Sequence, residues 1–233
     1  MSARLQEIAA NLDAVRRRMV AAAEAAGRDP DAIGLVVVTK FFPASDVRIL
    51  ADLGVTHVGE NRHQEAAAKA AECADLQLSW HFIGGLQSNK AAAVARYADV
   101  VESLDRVKLV APLDRGARER GRPVDVLLQV SLDPPGRDQR SGADADVLPQ
   151  LADAVAAAEM LRLRGLMAVA PLGEDPARAF GRLAEIRGGF LADYPDATRL
   201  SAGMSGDLEQ AIAAGATHVR VGSAVLGSRP TLK

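Results

Sequence analysis

Leu35-Val36-Val37-Val38-Thr39-Lys40-Phe41-Phe42-Pro43 sets the architecture. Val36 to Thr39 is an unbroken β-branched run, so Leu35–Thr39 reads as a strand. Alternation places Val36, Val38 and Lys40 on one face, with Lys40 at the C-terminal end. The turn after this strand weighs against one α/β architecture. An open doubly wound sheet wants a Gly-x-Gly-x-x-Gly turn after its first strand, and Thr39-Lys40-Phe41-Phe42-Pro43 is not one. That fold ranks second.

Outward from this strand, seven further apolar runs alternate with helical stretches. They are His57–Gly59, Ser79–Ile83, Val100–Ser103, Val124–Val130, Leu163–Leu166, Arg199–Ser201 and His218–Val221. Amphipathic helices are expected at Ala44–Leu53, Asp105–Arg120, Asp144–Ala158 and Pro176–Asp193. The alternation implies a parallel sheet, and eight units imply an α/β fold closed as a single (β/α)8 TIM barrel over residues 1–233. Residues 1–27 add a helix before it. Ser2 is its N-cap, and Gly27 with Asp29-Pro30 ends it. Leu5, Ile8, Leu12, Val15, Met19 and Ala22 form the stripe that packs it on the barrel.

Ala51–Val58 and Ala213–Val219 resemble each other, each a helix end, a Gly and a strand start. They give His57 and His218 equivalent structural positions, on the barrel's stability face.

The composition narrows the function classes. Hydrophobic residues make up 48% and charged residues 25%, the globular range. Net charge is −2, and Arg16-Arg17-Arg18 is the only basic triplet, so nucleic acid is not an expected partner. No apolar run is long enough for a membrane span and no signal peptide is indicated. The single cysteine, Cys73, reads as structural and fits a reducing cytoplasm.

Three features carry chemistry. Lys40, if it faces inward, projects into the barrel mouth, where burial would lower its pKa and free the amine to attack a carbonyl. A solvated lysine at a strand end is the plainer reading of Lys40 alone. Ala202-Gly203-Met204-Ser205-Gly206-Asp207 follows strand seven, with Ser205 as N-cap and Asp207 and Glu209 in the first turn. Gly222-Ser223 follows strand eight. Barrels bind phosphate with these two loops, although ordinary turns would look the same. Arg220 interrupts an apolar strand and, if inward, could donate to a pyridine nitrogen. An arginine does not readily release its proton, so that ring would stay unprotonated and be a weak electron sink. Outward, it would pair with a helix.

Together these segments resemble the pyridoxal phosphate homeostasis protein family over nearly the whole chain. The matching motifs are Val37–Lys40 with Pro43, Gly59-Glu60-Asn61, Trp80–Lys90, Leu163–Met167, Gly203–Asp207 and Val219–Gly222. The resemblance implies a fold-type III barrel like the N-terminal domain of alanine racemase, with pyridoxal 5′-phosphate (PLP) held as an internal aldimine on Lys40. It implies that Ser205, Gly222 and Ser223 hold the phosphate, that Arg220 faces the ring nitrogen and that Asn61 lines the site. His81 stays open between lining and packing. The family often has Lys where Arg140 stands before Ser141-Gly142. Arg140 attracts phosphate but forms no imine, so an accessory carrier lysine is not expected there.

The leading expectation is a monomeric cytoplasmic carrier that supplies PLP-dependent apoenzymes, with little or no turnover. A racemase would need a second proton-transfer group opposite Lys40. Alanine-racemase-like enzymes take a Tyr from a C-terminal β-domain, and this chain ends soon after its last strand. Its two tyrosines, Tyr97 and Tyr194, precede strands and belong at the wrong end of the barrel. A Schiff-base aldolase ranks last, because it gains nothing from Arg220.

Overall fold

The computed structural model describes residues 2–133 and 141–228. Among them run eight strands: β1 (Gly34–Val38), β2 (His57–Glu60), β3 (Ser79–Phe82), β4 (Val100–Leu104), β5 (Val124–Gln129), β6 (Leu161–Met167), β7 (Arg199–Ser201) and β8 (His218–Val221). Each pairs in parallel with the next, and β8 closes on β1. The closing register sets Val36 beside Arg220 and Val37 beside Val221. The lysine-bearing end of β1 is therefore next to the loop that follows β8. The expected closed barrel is present, and the open sheet is not.

The helices are α1 (Ala3–Ala25), α2 (Ala44–Asp52), α3 (His63–Glu72), α4 (Ala91–Ala95), α5 (Val110–Arg120), α6 (Leu148–Ala156), α7 (Pro176–Asp193), α8 (Leu208–Ala213) and α9 (Ser223–Leu226). The helix expected over Asp105–Arg120 opens as a 3-10 turn, Val107–Leu109, before α5. That over Asp144–Ala158 opens as Ala145–Val147 before α6. No side chain caps either 3-10 turn; the Leu109 and Val147 amides donate to the Arg106 and Asp144 carbonyls, the i to i+3 bonding of that tighter winding.

The apolar core falls into two clusters. One lies under α4 to α7; the other joins α1, α2, α8 and α9 to β1, β2 and β8. Ser2 caps α1 as expected, its Oγ accepting the Leu5 N–H at 3.2 Å. Ile8, Leu12, Val15 and Met19 bury the helix on the second cluster. Cys73 is buried near the Ala44 carbonyl. Among the described residues, no helix is long and apolar enough to cross a membrane.

Candidate functional site

At the C-terminal ends of β1 and β8 lies a cavity of about 350 Å³. Lys40, Ser205, Arg220, Gly222 and Ser223 all line it, so five of the six residues singled out from sequence share one wall. Val38, Phe41, Phe42, Ile83 and Met204 supply apolar surface. Two cations and no carboxylate are among the described lining residues, a setting that favours an anion.

The backbone around Lys40 is held on both sides. Lys69 Nζ, buried beneath it, donates to the Thr39 carbonyl at 2.9 Å and to Glu60 Oε1 at 2.5 Å. Thr39 Oγ1 donates to the same Glu60 oxygen at 2.6 Å. Beyond Lys40, the Phe41 N–H donates to Glu65 Oε1 at 2.5 Å, and Lys69 reaches that oxygen at 3.1 Å. Phe41 has φ +71°, a left-handed conformation costly for a side chain of its size. Phe41 and Phe42 of this turn line the cavity. Burial pushes the Glu60 carboxyl pKa up, although Lys69 opposes it.

The turn after β7 corrects one expectation. Ser205 does not cap a helix: α8 starts at Leu208, and Asp207 occupies the cap position. The Asp207 carboxylate instead folds back to accept the Met204 N–H at 2.5 Å. This tight turn leaves Ser205 free to face the next loop, its hydroxyl 3.4 Å from that of Ser223. Gly203 permits the turn, with φ +91°; a Cβ there would lie 2.6 Å from the Ala211 Cβ. Gly222 opens α9 against β1, where a Cβ would crowd the Val38 carbonyl at 3.2 Å.

Helix α1 binds these loops from outside. Arg4, Asn11 and Arg18 recur every seven residues, hence on one helix side. Arg4 donates to the Leu226 carbonyl at 3.0 Å, Asn11 to Val225 at 3.1 Å and Arg18 to Ser205 at 3.0 Å.

Arg220 faces inward and is buried. Its Nη2 donates to the Ala168 carbonyl at 2.9 Å and its Nη1 to Ser201 Oγ at 2.7 Å. Burial pulls its pKa down; Glu102, 3.8 Å from Nη1, opposes that.

Asn61 is not among the described residues that line this cavity. It directly follows β2, and its side-chain oxygen is buried with no hydrogen-bond partner. Tyr97 packs on His63 with ring centroids 5.9 Å apart, and Tyr194 donates to Asp153 at 2.8 Å. Neither tyrosine lines the cavity. The loop expected to carry Arg140 lies outside the described residues, although Asp133 and Ser141 flank it beside a smaller cavity of about 160 Å³. His81 is buried in the barrel interior, its Nδ1 2.6 Å from Glu102 Oε1, and is not among the described residues that line the cavity.

Sequence reasoning passed over Glu60, Glu65, Lys69, Glu102 and Ser201. A usable signal existed for Glu102, which interrupts the apolar strand Val100-Val101-Glu102-Ser103-Leu104 as Arg220 interrupts its own.

The alanine racemase N-terminal domain matches residues 4–230. The pyridoxal phosphate homeostasis protein of Mycobacterium tuberculosis is 45% identical, covering 97% of this chain and 94% of that protein. Its counterpart in Pseudomonas aeruginosa is 44% identical, covering 97% of each. The structure of PipY from Synechococcus elongatus with PLP bound superposes with a TM-score of 0.81 at 36% identity, covering 94% of this chain and all of that one. An alanine racemase from Clostridium difficile shares the fold at a TM-score of 0.72 and 12% identity, covering 97% of this chain and 58% of that one.

Proposed function

Because the chain belongs to the pyridoxal phosphate homeostasis protein family, with the fold of the alanine racemase N-terminal domain, we propose that its cavity holds PLP on Lys40 and that the protein stores and passes on this aldehyde. The observation that carries the reading is the cavity wall: one amine, one buried guanidinium and two hydroxyl-bearing turns around a space without a carboxylate among its described lining residues. When bound, the cofactor supplies an aldehyde that condenses with a primary amine.

Lys40 is that amine, held in place through Thr39 and Phe41. Ser205, Gly222 and Ser223 would hold the phosphate, with the first amides of α9 adding donors. Arg220 would donate to the ring nitrogen and, by keeping its own proton, leave that nitrogen unprotonated. Asn61, with its partnerless buried oxygen, is the sixth proposed contact. These groups bind and orient; a second base across from Lys40, which racemisation needs, is missing from the described lining residues. The reading therefore favours a carrier with little or no turnover.

The same proposal places a monomer in the cytoplasm, within reach of the apoenzymes that use this cofactor; a lone buried cysteine fits that compartment. Two assays test it together. The loaded protein is mixed with a PLP-requiring apoenzyme, and amino acids are offered to the loaded protein alone. The apoenzyme should gain activity while the amino acids stay unchanged. Rapid turnover that disappears in Lys40→Ala would make the protein an enzyme instead.

A further inference from the structure

Behind Arg220 the barrel interior holds a polar chain that does not line the cavity beyond Arg220 itself. Arg220 Nη1 donates to Ser201 Oγ at 2.7 Å, and Ser201 Oγ donates to Glu102 Oε2 at 2.6 Å. The other Glu102 oxygen lies 2.6 Å from His81 Nδ1. His81 Nε2 lies 2.9 Å from Nδ1 of His57, the first residue of β2. Side chains from β8, β7, β4, β3 and β2 thus link the cavity wall to the strand starts.

The donor inventory leaves one direction for the first links. A guanidinium only donates and a carboxylate only accepts. The single Ser201 hydrogen therefore points at Glu102, and His81 carries its hydrogen on Nδ1. Burial works against ionisation of Glu102, but His81, Arg220 and Ser201 outweigh it and hold the carboxyl down at about 2. A fully buried carboxylate and a fully buried guanidinium then neutralise each other through one hydroxyl. Ser201 and the Ala168 carbonyl take an N–H from each terminal nitrogen of the Arg220 fork. That fixes the plane of the group and the direction of its remaining N–H bonds.

We propose that Glu102 is a positioning residue that, through Ser201, sets the angle at which Arg220 presents an N–H to an acceptor in the cavity. The inference rests on the PLP reading for the acceptor, the ring nitrogen. His81 completes the arrangement by occupying the second carboxylate oxygen, so that Glu102 cannot swing toward Arg220 and replace the hydroxyl.

The test compares binding of PLP with binding of its 1-deaza analogue, which has C–H in place of the ring nitrogen. Dissociation constants are measured for the unaltered chain, for Glu102→Gln and for Ser201→Ala, with circular dichroism as the folding check. The unaltered chain should prefer PLP by about tenfold or more, the worth of a hydrogen bond from a charged donor. Both variants should still be fixed to the cofactor by borohydride, with the preference reduced to about threefold or less. If burying an uncompensated Arg220 unfolds Glu102→Gln, Ser201→Ala alters no charge and reads the same coupling. An undiminished preference in folded Ser201→Ala, or none in the unaltered chain, would overturn the inference. Failure of both ligands to bind the unaltered chain would instead sink the PLP reading on which it rests.

Discussion

The Lys69 ammonium lies 2.9 Å from the carbonyl oxygen of Thr39, the residue immediately before Lys40. It is buried and shared with Glu60 and Glu65, so one cation serves as the anchor of the whole strand end. Replacing Lys69 with Met would leave Glu60 buried without its counter-ion. The expected loss is about 3–5 kcal/mol of stability, measured by urea unfolding without cofactor. A loss under about 1 kcal/mol, the size of an exposed pair, would show that Lys69 does not anchor the turn.

Arg18 acts on the opposite side of the cavity. Its ion pair with Glu209 is substantially exposed, so Arg18→Met should cost the fold no more than about 1 kcal/mol. It also removes the donor to the Ser205 carbonyl, loosening a turn proposed to hold the phosphate. PLP affinity should fall about three- to tenfold while affinity for unphosphorylated pyridoxal stays unchanged. Equal losses for both ligands would contradict a phosphate role for that turn.

Gly203→Ala tests the same turn from within. The φ of +91° and the 2.6 Å approach to Ala211 forbid a side chain without movement. About 1–3 kcal/mol of stability should be lost, with PLP affinity falling in parallel. Unaltered thermal unfolding would mean the turn relaxes freely.

Acid should remove stability in two stages. Burial lowers the His218 pKa from 6.5 to about 4, with Glu102 opposing. Its folded form binds fewer protons than the unfolded chain, so stability is complete above about 6.5 and declines as pH falls toward 4. Glu102, held at about 2 against an ordinary 4.5, adds stability that is present above 4.5 and lost on further acidification. Glu60, raised by burial, runs in the opposite sense, so the first stage is read as a difference between variants. His57 and His63, also lowered by burial, act in the same span, so His218→Asn should reduce the fall of the urea midpoint between pH 6.5 and 4, by up to about 3 kcal/mol, and leave the lower stage intact. Parallel curves for the two chains would contradict the assignment.

Much of the barrel was legible because its strands are short apolar runs bounded by turn residues. β7 and β8 fall at the expected residues, each followed by small residues that cannot prolong a strand. Helix α7 matches at both ends, since Asp175 caps it and Pro176 suits its first turn. The site was legible where a residue broke its local pattern, as Arg220 does. Ser205 was misread because two capping residues stand close together, and only tertiary structure shows Asp207 turning back on Met204. The Glu60, Glu65 and Lys69 cluster was hidden for another reason. Its hydrogen bonds to Thr39 and Phe41 span 21 to 30 residues, and Glu65 and Lys69, as charged residues on a helix, ordinarily read as a solvated face.

Whether Lys40 anchors the cofactor is decided by incubating the purified chain with PLP, reducing it with borohydride and mapping the modified peptide by mass spectrometry. A yellow protein is expected whose visible band disappears on reduction, with the cofactor's mass on Lys40 and none retained at that residue in Lys40→Ala. A colourless protein, or a modification confined to other lysines, would contradict a Lys40 anchor.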